Sequence, residues 1–532
     1  MPRVNDLALL IFGAIRSPFA VAPRGFTYMA SVAQERSMTH MRLFVVAMWL
    51  VVCGVALQGQ ETRAGKLLIE PYSFRTFDGQ ETAAELGKLW VRENRDSPAG
   101  RVIQLTFVRL ASTAKTPGSP IVFLAGGPGA PGIGMGRVPV YFRLFDRLRA
   151  VADVILLDQR GVGMSSPELQ CPVKPVPVDA FETPEKWLRV LTDKSRSCAA
   201  YWQAKGVDVA AYTNDASADD LDDLRKALGV DRISLVGHSY GTLLAQTAVR
   251  RHGKHLDRVV FAGTLGSDDL VPLPSVWETL FAKLSHLAAK DVSIDETVPD
   301  MDALYRRVLD RLHRQPVTLT VTDPQTRKPV TIRVGKIGLQ WLVRHTMTDA
   351  RNYARLPALF QTIDRGDHSL LTRYIEPLYH GFQGRSPMAN AVDCSIGWSP
   401  ERLARANREA QQSSFGNVHL QRTAGFCNPV GIDMSRRRSP VRLYSELPAL
   451  FVSGTLDTNT PPFQAEEVRW GFPNSTHLIV ENGGHETLPS AEVQTVIVDF
   501  FRGENVSGRA ITFAPPDFLS VEEAKAQAAS RR

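Results

Sequence analysis

The sequence predicts an α/β fold: a mostly parallel central sheet flanked by helices, with a large, mainly helical insertion. Three observations carry this expectation. Short apolar runs ending in glycine recur up to about residue 270. Helical patterns alternate with them. Beyond that point the texture turns almost wholly helical, until two more apolar runs return near the C-terminus. Runs of this kind suit strands buried on both faces, and strand alternating with helix implies a parallel sheet.

Taken in order, "VIQLTFVRLAS" (102–112) alternates early and reads as a strand. "SPIVFLAGG" (119–127), "ADVILLDQRG" (152–161), "RISLVGHSYG" (232–241) and "DRVVFAGTLG" (257–266) are the buried runs. "NDASADDLDDLRKALGV" (214–230) is a helix: Leu221, Leu224 and Leu228 share one face, acids crowd the first turns, and Gly229 ends it. "GTLLAQTAVRRHG" (241–253) reads as another. From 269 to 445 come helical segments such as "SVWETLFAKLSHLAAKD" and "SLLTRYIEPLYHGF", with one hairpin expected across 316–334. "LPALFVSGTLD" (447–457) and "STHLIVENGGHE" (475–486) return the chain to the sheet, and "EVQTVIVDFFRG" (492–503) is a closing helix. The core is therefore expected over 66–268 and 446–505, with a tail at 506–532 ending in a short peripheral helix.

Composition narrows the class. The 532 residues are 44% hydrophobic and 22% charged, ordinary for a globular protein. The net charge of +7 is spread thinly. Its dense basic block, "SRRRS" (435–439), reads as a solvated face rather than a nucleic-acid site. From Met41, "MRLFVVAMWLVVCGVALQGQ" places one Arg before a short apolar run and small residues at 54–56, the pattern of a secretory signal peptide cleaved near Ala56. Met41 is then the expected initiator, and residues 1–40 a non-native or disordered extension. The alternative is an uncleaved N-terminal anchor. Of five cysteines, Cys53 leaves with such a signal. Cys171, Cys198, Cys394 and Cys427 remain, an even set that implies two disulfides in an exported chain. Local pairing, 171 with 198 and 394 with 427, is expected.

The chemistry centres on "GHSYG" (237–241), a G-x-S-x-G motif between a predicted strand and a predicted helix. A serine on such a turn is held exposed above the sheet, at a helix N-terminus. A serine hydroxyl needs a base, and the base needs an orienting carboxylate. "LPALFVSGTLD" ends in Asp457 and "THLIVENGGH" ends in His485. Each follows a predicted parallel strand, on the edge where open α/β sheets place their sites. With twelve histidines in the chain, position rather than presence singles out His485. Attack on a carbonyl creates an oxyanion that needs backbone N–H donors. Tyr240, after the nucleophile, is one candidate, and Gly127 in "AGGPG" (125–129) is the other. Asp158 and Arg160 in "DQRGVGMS" (158–165) are expected to form a buried ion pair bracing the glycine-rich loop.

Together "GGPG", "DQRGVGMS", "GHSYGTLLA", "GTLDTNTPP" and "GGHE" resemble, in order and approximate spacing, the α/β-hydrolase fold and within it the prolyl aminopeptidase and tripeptidyl-aminopeptidase-like serine peptidases. The resemblance implies Ser239 as nucleophile, Asp457 as acid, His485 as base, Gly127 and Tyr240 as the oxyanion hole, and the insertion as a lid. Ala125 stands where the family often has His, and His238 and Tyr240 where it often has Gly or Trp. These departures bear on proline specificity rather than on acyl transfer. Glu278 is one of several lid acids able to hold a substrate ammonium. The expectation is an exported serine hydrolase, an aminopeptidase releasing a single residue such as proline or a tripeptide. A carboxylesterase or lipase with the same triad, or a catalytically silent binding member of the fold, are the alternatives. No metal or organic cofactor is expected. The expected partner is a peptide or small ester, with no nucleic acid and no membrane beyond an N-terminal anchor. Oligomeric state is not legible.

Overall fold

The chain enters its sheet through a hairpin. β1 (Leu67–Arg75) and β2 (Glu81–Arg92) pair antiparallel, and β2 pairs antiparallel with β3 (Val102–Leu110). β3 in turn lies antiparallel to β5 (Val154–Asp158). Beyond it β4 (Ile121–Leu124), β6 (Ile233–His238), β7 (Leu256–Ala262), β10 (Ala449–Gly454) and β11 (Ser475–Glu481) run parallel, and the short β12 (Ile511–Thr512) closes the edge. The ten-stranded order is β1-β2-β3-β5-β4-β6-β7-β10-β11-β12. This computed structural model describes residues 63–530, apart from 98, 292, 293, 295–297, 383, 384, 423, 424 and 435–441. The expected signal at 41–56, the extension at 1–40 and the basic run at 435–439 lie outside the described residues.

The central parallel strands β4, β5, β6 and β10 are buried on both faces, which is why they read as continuous apolar runs. In β5, Ile155 and Leu157 join one core, while Val154 and Leu156 join the other. The first core is shared with α4 (Asn214–Ala227) and α5 (Tyr240–His252). The second is shared with α2 (Pro139–Leu148) and α14 (Ala491–Arg502). A short α1 (Gly132–Gly136) follows the glycine-rich loop, and α3 (Pro184–Gln203) precedes α4. Thr213 caps α4 by accepting from Ala216 N, and Asp215 at its start and Arg225 and Lys226 at its end complement the helix dipole.

Between β7 and β10 lie α6 (Pro274–Ala288), α7 (Met301–Arg314), α8 (Lys336–Thr346), α9 (Leu356–Asp364), α10 (Ser369–Gly381), α11 (Pro387–Ile396) and α12 (Pro400–Ala410), with the expected hairpin as β8 (Val317–Thr322) and β9 (Pro329–Val334). Their core is larger than the insertion itself. It takes Phe181, Trp187 and Leu191 from the chain before β6, Phe518 from just before the tail helix α15 (Val521–Ser530), and Val521 and Ala524 from that helix. The tail helix is thus packed rather than peripheral. α3 bridges two cores: Trp187 and Leu191 point into the insertion, Ala199 into the sheet's first core. α13 (Pro462–Arg469) connects β10 to β11.

Disulfides join Cys171 to Cys198 and Cys394 to Cys427. Among the described residues, no helix is long and apolar enough to cross a membrane.

Candidate active site

Ser239 sits between the last residue of β6 and the first of α5, with φ 54° and ψ −123°. A side chain rarely adopts this region, and such strain persists only where the surroundings over-determine it. Three contacts do so. Ser239 N donates to Ala262 O (2.9 Å), and Ser239 O accepts from Thr242 N (2.9 Å) and Thr242 Oγ1 (2.7 Å). The motif glycines make the turn possible. A Cβ on Gly241 would lie 2.0 Å from Leu124 O, and one on Gly237 would lie 2.6 Å from Gly241 O. Tyr240 is wholly buried, its hydroxyl donating to Asn214 Oδ1 (2.9 Å), which seats its amide in the first turn of α5.

Asp457 and His485 meet at the same sheet edge. His485 Nδ1 lies 2.8 Å from Asp457 Oδ2, which also accepts from Thr460 Oγ1 (2.6 Å). Asp457 Oδ1 accepts from the amides of Asn459 (2.7 Å) and Thr460 (2.9 Å). Burial pushes this carboxyl up, but the imidazole and the Thr460 donors outweigh it and hold the pKa at about 2. Asp457 is therefore an ionised acceptor. A Cβ on Gly263 would lie 3.1 Å from His485 Cε1, so this imidazole stands against the end of β7, next to the Ala262 carbonyl that anchors Ser239. Among the described residues, no hydrogen bond joins the Ser239 hydroxyl to the imidazole. Such contacts are often loose before substrate binds.

The loop "AGGPG" lies beside Ser239. Gly127 and Gly129 take φ of 108° and 106°. A Cβ on Gly126 would fall 2.8 Å from Ser239 Cβ and 3.0 Å from His238 O. Gly126→Ala is accordingly expected to displace the serine and lower kcat by about a hundredfold. Its far-UV circular dichroism should stay native, and steady-state kinetics on a chromogenic substrate check the rate.

Asp158 and Arg160 correct the expected ion pair. They do not pair with each other. Asp158 accepts from Ile133 N (2.9 Å) and Met164 N (2.8 Å), tying both glycine-rich loops together, and burial raises its pKa to about 6. Arg160 is fully buried and grips Asp220 with two bonds of 2.7 Å, while also donating to Glu93 O and Ala211 O.

The insertion reaches the site from the end of α8 and the stretch that follows it. Tyr353 OH donates to Leu456 O (2.8 Å), Arg344 to Asn459 Oδ1 (2.5 Å) and Thr458 Oγ1 to Met347 O. Glu278 is committed elsewhere: it accepts from Ser414 N and the Ser413 and Ser414 hydroxyls and pairs with Arg306 (2.8 Å). It makes a poor ammonium anchor. Sequence reading missed Gly126 and Thr460, although "GGPG" and the D-x-x-T spacing of an Asx-type turn carry their signals.

A second polar group packs against His485. His238 is buried, its ring centroid 5.1 Å from that of His485 and its Nε2 3.7 Å from Glu486 Oε2. Tyr141 OH donates to that same Glu486 oxygen. Burial, and then the neighbouring His485, hold the His238 pKa at about 3, so its ring is uncharged. Burial raises Glu486 to about 7.

Against known proteins, the family described as alpha/beta hydrolase fold matches residues 119–491, which span strands β4 to β11, the Ser239 turn, the insertion and both late loops. The chain belongs to the α/β-hydrolase fold family. Three relatives are similar to it. YuaR of Escherichia coli (strain K12) is 24% identical over 418 residues, 73% of this chain and 78% of that one. Serine protease Hip1 of Mycobacterium tuberculosis (strain ATCC 25618 / H37Rv) is 26% identical over 244 residues, 42% of this chain and 45% of that one. Tripeptidyl aminopeptidase of Streptomyces lividans is 27% identical over 188 residues, 33% of this chain and 34% of that one. The α/β-hydrolase match covers both halves of the core, whereas the two peptidase matches cover less than half of either chain.

Proposed function

We propose that this protein is an exported serine hydrolase of the aminopeptidase type, releasing a single residue such as proline, or a tripeptide, from peptide N-termini. The observation that carries the reading is the Asp457–His485 hydrogen bond, formed on the edge where the strained Ser239 turn projects. His485 takes the Ser239 proton through Nε2, because Nδ1 is turned to Asp457. The Ser239 oxygen attacks the scissile carbonyl. The oxyanion is held by the amides of Gly127 and Tyr240, in a site whose donors are fixed beforehand by Asp158 and the α5 turn. The imidazolium then protonates the leaving amine, and the same nitrogen draws a proton from the water that hydrolyses the acyl-enzyme. Similarity to Hip1 and to tripeptidyl aminopeptidase supports a peptide substrate. The two disulfides support export.

The test compares free-amino peptide p-nitroanilides with their N-acetylated forms and with short p-nitrophenyl esters. Turnover of the free-amino anilides, lost on acetylation, is expected. Turnover of the esters alone would replace the aminopeptidase with an esterase.

A further inference from the structure

We propose that His238, Glu486 and His485 form a Zn²⁺ site beside the triad, through which the cation holds the base and blocks the serine. The nitrogen and oxygen donors of these three side chains already lie within 4.8 Å of one another. Two imidazoles and one carboxylate are a donor set that Zn²⁺ uses in open, three-ligand sites. Tetrahedral coordination at zinc–ligand distances of about 2.0–2.1 Å puts donors about 3.3 Å apart, so the widest gap closes by up to about 1.5 Å. Glu486 Oε2 already stands 3.7 Å from His238 Nε2, and its 32% exposed side chain has more room to adjust than the 4% exposed His238.

Second contacts favour a cation here. A metal-bound histidine ordinarily gives its other ring nitrogen to a carboxylate, which fixes the tautomer and raises basicity. His485 has that arrangement: Nδ1 faces Asp457 at 2.8 Å, leaving Nε2 as the donor. Glu486 is oriented by Tyr141, whose hydroxyl donates to its Oε2. The three ligands come from the nucleophile turn and from the loop after β11, so the site exists only in the folded chain. A cation on His485 Nε2 occupies the lone pair that would receive the Ser239 proton. Hydrolysis stops with no covalent change and resumes when a chelator removes the metal. Mg²⁺, which prefers oxygen ligands, should not substitute.

The inhibitory half of the proposal rests on the triad reading, and the binding half does not. Isothermal titration of ZnCl₂ into the full-length Ser239→Ala protein, which keeps every donor, measures binding alone. One Zn²⁺ per chain is expected. Affinity should fall about tenfold or more in Ser239→Ala proteins also carrying Glu486→Gln or His238→Gln, since loss of even an outer partner costs that much. In the otherwise native protein, Zn²⁺ should slow fluorophosphonate labelling reversibly, and Glu486→Gln should retain labelling while losing the Zn²⁺ effect. Equal Zn²⁺ affinity in all three titrated proteins, or no binding at all, overturns the site even if the enzyme is active. Site-dependent Zn²⁺ binding in a protein that never labels would leave the site standing and overturn the triad reading instead.

Discussion

Ser239→Ala is expected to abolish fluorophosphonate labelling and to lower turnover by roughly 10⁴-fold or more, the scale on which loss of a triad nucleophile acts. The fold should survive. Among the described residues, the side-chain oxygen of Ser239 carries no hydrogen bond, so its removal leaves no buried partner stranded. The turn itself is held by Ser239 N and Ser239 O, which alanine retains. A companion variant reads the strain directly. With φ at 54° and ψ at −123°, Ser239→Gly should be equally inactive but more stable than the native protein. Relief of one such residue is worth about 1 kcal/mol after allowing for glycine's greater freedom in the unfolded chain. Urea unfolding of the three proteins measures it. Residual labelling in a folded Ser239→Ala protein would remove the nucleophile assignment, and a less stable Ser239→Gly would remove the strain.

Asp457→Asn should cost about 10⁴-fold in kcat with little change in KM. The reason is directional. Asp457 Oδ1 accepts from two backbone amides, at Asn459 and Thr460, so an asparagine must place its oxygen there. Its NH₂ then points at His485 Nδ1, where the carboxylate oxygen stood at 2.8 Å. That donor forces the imidazole proton onto Nε2, the nitrogen that must accept from Ser239. The substitution keeps shape and inverts the tautomer. It also carries a pH signature. The Asp457 pKa is about 2 in the fold against an ordinary 3.8. A depressed carboxyl contributes stability above its unfolded pKa and loses it as pH falls through the folded value. The contribution, about 2 kcal/mol by that shift, is present in full above pH 5 and fades towards pH 2. The gap in urea midpoint between native and Asp457→Asn proteins should narrow over that window. A constant gap would show that the carboxylate is not held ionised by these partners.

Much of the sheet was legible because its central strands are buried on both faces. Runs such as "VILLD" and "ALFV" have no polar face to hide their period, and glycines mark where they end. The β1–β2 hairpin was not singled out. β2 carries Ala, Glu, Gly and Lys, residues of weak strand preference, and it owes its form to pairing with β3. Asp158 and Arg160 were misread as partners for a geometric reason. Two residues apart in a strand, their side chains would share a face. The chain leaves β5 at Asp158, so they diverge, one to the start of α1 and the other to Asp220. The tail helix was read as peripheral because a weakly apolar segment gives no hint of what covers it. Phe518 and Val521 find their cover in the insertion.

By itself the sequence determined the strand–helix alternation, the kind of turn that carries Ser239, the chain order of Ser239, Asp457 and His485, and the residue types that the proposed roles require. These are local matters, set by side-chain periodicity and turn chemistry over a few neighbours. Only the tertiary structure decided that Asp457 and Thr460 converge on His485, that a side chain at Gly126 would run into the serine, that Glu278 is spent on Ser413 and Ser414, and that His238 and Glu486 stand beside His485. Burial and distance between residues far apart in the chain arise from packing one element on another, and that packing is where donors acquire direction and acids acquire their charge.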